Sequence, residues 1–446
     1  MKATKIAILV GALGLSASAF ATNGYFSHGY GMKAKGMGGA ATAVTGDTFG
    51  GANNPAAMVW AGDRLDVGLD WFSPKRTASR QGSAGFGGAY NGSSESGSNN
   101  FYIPEFGYNK MFGWDMAFGV TVYGNGGMNT DYNNSVSGGG ASFAPSCGGQ
   151  PSNLLFGCGK LGVDLMQLII APTFSMKINK DNSLGISPLI GYQRFKVDGL
   201  QAFDELPGGG VTFTSSPGNT TNKGYDSARG YGLRIGWLGK VSDTVTLGAA
   251  YSTKIKMSKF DKYKGLFAEQ GGFDIPENYN IGIAVKATPK LNVAFDIQQI
   301  NYSKVASIAN AITNSLTNPV ANGLGTNNGS GFHWRDMTVY KLGVEYEYDP
   351  SLKLRAGYNY GKSPVRGDTM DDVSFNILAP GVVEKHLTLG ATWTLANKSE
   401  VTLSYMHAFE KTVTGPSATA LLGVGGTESL KMNQNSLGIA YGVKFQ

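Results

Sequence analysis

Residues 436–445, near the end of the chain, read SLGIAYGVKF and alternate between large apolar residues and small or polar ones. One face carries Leu437, Ile439, Tyr441, Val443 and Phe445, and the other carries Ser436, Gly438, Ala440, Gly442 and Lys444. Successive side chains of a β-strand point to opposite faces, so this alternation predicts a strand with one apolar face. The same period of two recurs upstream, for example in LDVGLDW from Leu65.

The whole chain yields fourteen such predicted strands. They cover residues 64–74, 100–112, 114–123, 162–178, 183–200, 226–241, 244–258, 276–289, 291–305, 336–348, 351–364, 382–396, 399–413 and 432–446. An even number of strands is typical of bacterial outer-membrane barrels.

The connections alternate in length. Tight turns fall at Phe112-Gly113, NKDN from 179, VSDT from 241, ATPK from 287, DPS from 349 and ANKS from 396, and longer connections separate them. This pattern predicts an all-β fold, a 14-stranded antiparallel transmembrane β-barrel, in which closure leaves no backbone group unpaired in hydrocarbon. A soluble β-sandwich would not explain the alternating connections, and repeats of fixed length that would indicate a propeller or solenoid are absent from the sequence.

The first 21 residues have the pattern of a secretory signal peptide. Lys2 and Lys5 precede a short apolar stretch, and small residues close it at Ala19 and Ala21. The apolar stretch is too short to cross about 30 Å of hydrocarbon as a helix. We therefore expect cleavage of residues 1–21 and export to the outer membrane.

Residues 22–63 do not read as strand, because they are rich in Gly and Ala without a long period of two. A barrel of fourteen strands has a lumen wide enough to admit such a segment. We expect residues 22–63 to form a hatch inside the lumen and residues 64–446 to form the barrel; a loose periplasmic tail is the alternative.

The charge and the cysteine content of the chain bear on its partners and on its compartment. The net charge is +6, or +4 once Lys2 and Lys5 are removed, and without basic runs this gives no case for nucleic-acid binding. Cys147 and Cys158 lie in a Gly- and Ser-rich stretch, and in an exported protein they predict a loop disulfide. The sequence gives no reason to expect a metal or another cofactor.

Within the predicted hatch, GMGGAATAV is followed by NNPAAM. With IPENYNIGIAV from Ile275, FHWRDMTVYKLGVEYEYD from Phe332 and LSYMHAF from Leu403, the sequence resembles the outer-membrane long-chain fatty-acid transporter family (FadL), which includes importers of aromatic hydrocarbons. The resemblance implies passive uptake of a hydrophobic ligand, with long-chain fatty acids first and aromatic hydrocarbons as the alternative. Asn54, Pro55 and Ala56 match the family's Asn-Pro-Ala hatch element.

The resemblance also implies ligand-binding and exit sites. The family places basic side chains in its pocket, and Arg194 and Arg335 match by local alignment. Arg194 would point inward if Phe195 and Val197 faced lipid; a solvated or acid-paired arginine is the alternative at both positions. In the family the ligand leaves through a kink in the third strand, for which Gly124, Gly126 and Gly127 are candidates.

Functions of two other classes are weaker alternatives. A barrel enzyme acting on lipids would need a nucleophile and base, but no G-x-S-x-G occurs and the four histidines, His28, His333, His386 and His407, are scattered along the sequence. A diffusion porin for polar solutes would not fill its own channel. We expect a monomer without enzymatic activity, whose partners are its hydrophobic ligand, outer-membrane lipid and lipopolysaccharide.

Overall fold

Fourteen antiparallel strands form one closed wall in the computed structural model, which describes residues 23–85, 88–133, 152–204 and 212–445. We number the wall strands in chain order. They are β1 Arg64–Gln81, β2 Phe101–Phe112, β3 Met116–Tyr132, β4 Leu161–Lys177, β5 Asn182–Asp198, β6 Asp226–Lys240, β7 Val245–Ser252, β8 Asn278–Thr288, β9 Leu291–Ile300, β10 Met337–Asp349, β11 Leu352–Gly361, β12 Lys385–Thr394, β13 Glu400–Pro416 and β14 Thr427–Lys444.

Each wall strand pairs with its neighbours in sequence, and the last pairs with the first, from Arg64 opposite Lys444 to Gln81 opposite Thr427. Closure therefore needs no crossover and leaves no free sheet edge. The predicted fold class, a 14-stranded antiparallel barrel, is confirmed. Short turns and long connections alternate around it as the sequence indicated.

Several strand ends differ from the prediction. β1 continues to Gln81 and β3 to Tyr132, whereas the alternation in sequence predicts that they end at residues 74 and 123. Both extensions are polar or glycine-rich, so the apolar alternation stops while the backbone pairing continues. In contrast, β7 is shorter than predicted and ends at Ser252.

The alternation puts apolar side chains on the outer face of the wall, in the part of the barrel near the short turns. Val67, Leu69 and Trp71 are exposed, while Asp66 and Asp70, on the opposite face of the same strand, are buried. An exposed apolar band with a polar interior is the arrangement that suits a wall surrounded by lipid.

The remaining elements are short. Strand pieces occur at Ala84–Gly85, Gly88–Ala89, Gly92–Glu95 and Lys256–Met257. α-Helices occur at Met32–Lys35, Gln201–Asp204, Ala268–Gly271, Ala306–Ala309, Asn314–Thr317 and Pro319–Asn322, and 3-10 helices at Phe49–Gly51, Pro55–Trp60, Asp261–Tyr263, Tyr302–Lys304, Ser374–Ile377 and Ala418–Leu422. Among the described residues, none of these helices has the length and apolar content to cross a membrane.

Candidate functional site

Residues 23–61, which we call the N-terminal segment, are almost completely buried, and Thr45 is their one exposed residue. Ion pairs join the segment to the wall. Lys35 Nζ lies 2.6 Å from Asp70 of β1, and Lys33 Nζ lies 2.7 Å from Glu400 of β13. The segment is therefore fixed to strands from both ends of the chain.

Two buried carboxylates of the wall also accept hydrogen bonds from this segment. Asp296 of β9 accepts from the backbone N–H of Ala41 and Thr42 at 2.8 and 2.9 Å and from Thr42 Oγ1 at 2.7 Å. Asp66 of β1 accepts from the N–H and the hydroxyl of Thr48 at 3.0 and 2.8 Å. Hydrogen bonds to a charged group stabilise by about 1.5–3 kcal/mol each, so these contacts hold the segment firmly.

The Asn54-Pro55-Ala56 element begins the 3-10 helix Pro55–Trp60. The Asn54 side chain accepts a hydrogen bond from the N–H of Ala56 at 3.1 Å, and Pro55 occupies the first turn, where no N–H is needed. Asn54 Nδ2 donates to the carbonyl oxygens of Thr42 at 2.8 Å and Trp237 at 2.9 Å. Asn54 thus caps the helix and also links it to the wall.

Glycines of the wall let the backbone of the segment approach closely. A Cβ built at Gly236 would lie 2.0 Å from Asn54 Oδ1, and one at Gly248 would lie 2.1 Å from the Thr42 carbonyl oxygen. Further wall glycines in such contact with the segment are Gly107, Gly119, Gly185, Gly343, Gly357 and Gly438. Strand glycines often mark a close backbone approach, and this signal was present in the sequence but went unused.

The start of the segment pairs with an irregular point of β3. The register between β3 and β4 shifts between Gly124 and Gly126, which is the mark of a bulge. Phe26 forms a β-bridge with Gly126, and the Ser27 N–H donates to the Asn125 carbonyl at 3.1 Å. A Cβ at Gly126 would lie 1.9 Å from the Tyr25 carbonyl oxygen, so only glycine fits there.

An apolar cavity of about 40 Å³ lies between wall strands and the long connections that join them. It is lined by Met128, Val163, Leu165, Phe195, Val197, Leu200, Phe203, Leu266, Phe267, Phe273, Ser307, Leu324, Ser330, Gly331, Phe332, Phe375 and Leu378. Ser307 and Ser330 donate their hydroxyls to carbonyls of Gly272 and Ile312, at 2.5 and 2.6 Å. No charged side chain is among the described residues that line this space.

An aromatic cluster connects the cavity to the bulge of β3. Phe273 lies 4.8 Å from Phe267, ring centre to ring centre, and 6.3 Å from Tyr25. Tyr25 in turn packs on Tyr302 and Trp334 at 5.4 and 5.9 Å. The side chain that covers the bulge is therefore part of the same packed group as the cavity wall.

Arg194 does not line this cavity. The orientation that would have pointed it inward is wrong, because Phe195 and Val197 are buried and face the cavity while Arg194 is exposed. The Arg194 guanidinium instead lies 3.5 Å from the centre of the Tyr225 ring.

Arg335 also lies apart from the residues that line the cavity, although Phe332 nearby belongs to them. Its guanidinium nitrogens lie 3.5 Å from Asp372 and 3.7 Å from Asp368. The acid-paired alternative therefore describes Arg335, with Asp372 and Asp368 as its partners.

Arg76, which the sequence did not single out, is a buried arginine on the extension of β1. It contacts a gap of about 10 Å³ that is also lined by Met128, and Met128 borders the apolar cavity as well. Arg76 donates to the carbonyl oxygens of Asn129 and Ser98, and its Nε has no hydrogen-bond partner. The strand was predicted to end at residue 74, so Arg76 was read as loop.

The four histidines do not meet at one site. His28 and His386 stack at 6.3 Å, while His333 contacts Asp372 at 3.2 Å and His407 contacts Asn435 at 2.9 Å. Burial lowers the pKa of His28 well below that of a free imidazole. The described residues hold no group of three potential metal-binding His, Cys, Asp or Glu side chains. Cys147 lies outside the described residues, as does the predicted signal peptide, so the disulfide with Cys158 stays a prediction.

A barrel whose interior combines a bound N-terminal segment with an apolar cavity invites comparison with known transporters. The family model described as "Outer membrane protein transport protein (OMPP1/FadL/TodX)" matches residues 8–446. The chain belongs to this family. The family consists of outer-membrane transport channels rather than enzymes, so this protein lies in the outer membrane and takes up hydrophobic compounds.

Solved structures with the same fold include members of this family. The P. putida toluene transporter TodX is 17% identical, with a TM-score of 0.65 over 94% of this chain and 99% of that one. A Pseudomonas aeruginosa FadL homologue is 15% identical, with a TM-score of 0.67 over 95% and 100%. The Ralstonia pickettii toluene transporter TbuX is 18% identical, with a TM-score of 0.62 over 94% and 99%. No curated protein sequence matches the chain significantly.

Proposed function

We propose that this protein takes up small neutral hydrophobic molecules, aromatic hydrocarbons foremost, passively and as a monomer. The observation that carries this proposal is the lining of the apolar cavity, which contains six phenylalanines and no charged side chain among the described residues. The two serines already donate their hydroxyls to carbonyls. A neutral ring leaves no charge and no hydrogen-bonding group without a partner in such a space.

A carboxylate would be unfavourable in the same space. Burying an ionised group without a partner is so costly that the group binds a proton instead. Aromatic pairs, by contrast, gain about 0.5–1.5 kcal/mol beyond area burial. The cavity chemistry therefore favours aromatic hydrocarbons over fatty acids.

The cavity must widen to hold a ligand. Its volume of about 40 Å³ is below the roughly 150 Å³ of an engineered cavity that binds benzene. Phe267, Phe273 and Phe332 lie on the connections after β7 and β9, outside the wall strands. Displacing these rings outward opens the cavity without breaking a strand pair.

We infer that the N-terminal segment serves as the hatch. The anchors at Lys33, Lys35, Thr42 and Asn54 hold its later part, while its first residues cover the β3 bulge. Movement of residues 23–27 away from Gly126 uncovers that bulge, with Gly124 and Gly127 beside it, as a sideways exit into the membrane. A gradient of the ligand suffices to drive this path.

Long-chain fatty acids are the second candidate, and Arg76 is the observation that favours them. Its unpaired Nε is buried next to Met128, which separates it from the apolar cavity. The Nε–H of this guanidinium is left to donate a charge-assisted hydrogen bond to a carboxylate. The carboxylate of a fatty acid that moved past Met128 would contact Arg76, which would be its charged partner.

Uptake of radiolabelled toluene and hexadecanoate, by cells that lack other hydrophobic transporters and produce this protein, tests the proposal. Leu165→Trp fills the cavity and is expected to reduce toluene uptake at least tenfold, whereas Met166→Trp, on the outward face of the same strand, leaves it unchanged. Equal uptake by both variants would contradict the proposed path. Strong hexadecanoate uptake that falls in Arg76→Met, with no toluene uptake, would establish the second candidate instead.

A further inference from the structure

A cluster of cations lies on the outer face of the wall, where β5 and β6 rise above the apolar band. Along β5 the outward side chains change from Ile190 through Tyr192 to Arg194 and Lys196. Along β6 they change from Leu233 through Tyr231 to Arg229.

The change from apolar through tyrosine to cationic side chains occurs at nearly the same height on the two neighbouring strands. Ile190 pairs with Tyr231, and Tyr192 pairs with Arg229. The short strand Lys256–Met257 continues the row, because Lys256 pairs with Tyr231 on the other side of β6. Tyrosines at the upper edge of an apolar band mark the boundary with the lipid headgroups. The cations therefore stand at headgroup level.

We call Arg194, Lys196, Arg229, Lys256 and Lys262 the cationic patch. Tyr225 lies at its centre: the Arg194 guanidinium is 3.5 Å and Lys196 Nζ 5.2 Å from the ring centre, and Lys262 Nζ donates to the Tyr225 carbonyl at 2.7 Å. The patch thus presents several positive side chains around one aromatic ring.

Nearby carboxylates offset only part of the charge of the cationic patch. Asp164 accepts from the Tyr225 hydroxyl at 2.6 Å, and Asp226 accepts from the Lys262 backbone N–H at 2.9 Å. With Asp198 they make three negative charges beside the five cations of the patch, which leaves an excess of positive charge. Asp198 lies 3.8 Å from Lys196. Across the described parts of the chain, no ion pair includes Arg194, Arg229, Lys256 or Lys262.

The opposite wall differs at a corresponding place. On β14, outward Lys431 lies 3.8 Å from Glu410, and the next outward residues, Asn433 and Asn435, are uncharged. The group of unpaired cations on β5 and β6 is thus not matched on β14.

We propose that the cationic patch binds the phosphate groups of lipopolysaccharide, with the acyl chains of lipid A lying along Ile190 and Leu233. The long connections mark this end of the barrel as the extracellular one, so the adjoining leaflet is the outer one. Basic side chains near a membrane surface attract anionic headgroups, and arginine matches phosphate geometry. This inference goes beyond the proposed transport and does not depend on it.

Binding of lipid A to the purified full-length protein in detergent, measured by native mass spectrometry, tests this site. Each cation is worth about a fivefold change in affinity, so Arg194→Gln, Arg229→Gln and Lys256→Gln together are expected to weaken bisphosphorylated lipid A about 100-fold. Lys431→Gln, on the opposite wall, is the matched control and is expected to bind as the unaltered protein does.

Comparing different lipids in the same binding experiment shows which chemical group the patch recognises. Lipid A without phosphates is expected to bind the unaltered protein at least as weakly as bisphosphorylated lipid A binds the triple variant, which keeps Lys196 and Lys262. Affinity of the triple variant within twofold of the unaltered protein would overturn the site, and equal affinity for phosphatidylglycerol would overturn the assignment to lipopolysaccharide. Arg229→Gln alone, expected to lose about fivefold, provides the same test if the triple variant fails to assemble.

Discussion

Gly248→Leu is expected to unseat the N-terminal segment. A Cβ at Gly248 would lie 2.1 Å from the Thr42 carbonyl oxygen, whereas ordinary contact begins near 3.4 Å. Both groups belong to backbone that is held on each side, so the conflict is relieved only by moving the segment. Thr42 then loses its hydrogen bonds with Asp296 and Asn54.

The size of the effect follows from those contacts. Two charge-assisted hydrogen bonds from Thr42 to Asp296, at about 1.5–3 kcal/mol each, amount to at least about 3 kcal/mol. A change of that size shifts the balance between seated and released segment by more than 100-fold, since 1.4 kcal/mol corresponds to a factor of ten. A channel that is closed almost all the time should then be open for a measurable fraction of the time.

Ion conductance of the purified protein in a planar bilayer is the assay. The unaltered protein is expected to show no stable open state, and Gly248→Leu is expected to show frequent openings. Ala249→Leu is the matched control, because Ala249 is the next residue on β7, is half-buried and borders a groove on the outer surface. The reasoning is refuted if Gly248→Leu folds normally yet conducts no more than Ala249→Leu.

Three other predictions follow from the same contacts. Gly126→Val should displace Tyr25 and Phe26 from the bulge and raise conductance or ligand leak, which bilayer recording would detect, because its Cβ would lie 1.9 Å from the Tyr25 carbonyl oxygen. Lys35→Met should lower the free energy of unfolding by about 3–5 kcal/mol, because Asp70 then keeps a buried charge without its partner. Denaturant unfolding measures this loss, and the double variant with Asp70→Asn should recover most of it. Lowering the pH below about 6.5 should loosen the segment, because burial depresses the pKa of His28 and only the imidazole of a released segment takes up the proton. The stabilisation by neutral His28 is present above that pH and is lost as the pH falls below it. His28→Phe should therefore flatten the pH profile of conductance.

The strand count and the wall order could be predicted from sequence because period-two alternation and turn spacing are local signals. The direction of each face could not be predicted in the upper half of the barrel. Outward positions are apolar near Leu184 and Ile186, but at Phe195 and Val197 the apolar side chains face inward, toward the cavity. Alternation gives two faces without saying which is inside, so the sequence left the orientation of Arg194 open.

The seating of the N-terminal segment was beyond sequence reasoning for a different reason. Asn54, Pro55 and Ala56 indicated a hatch element, but its contacts join residues far apart in the chain, such as Thr42 with Asp296. Glycine at inward positions such as Gly236 reads equally well as lumen lining or as a site of close approach. Only the folded wall brings the partners together.

Anomalous diffraction from crystals soaked in bromotoluene tests the central claim most directly, since bromine locates the ligand independently of any assumed path. The account predicts a bromine peak in contact with Phe195, Phe267 and Phe332, inside the wall and above a seated N-terminal segment. Crystals that take up the compound but show bromine only outside the wall, or in a lumen from which residues 23–61 have moved away, would contradict it.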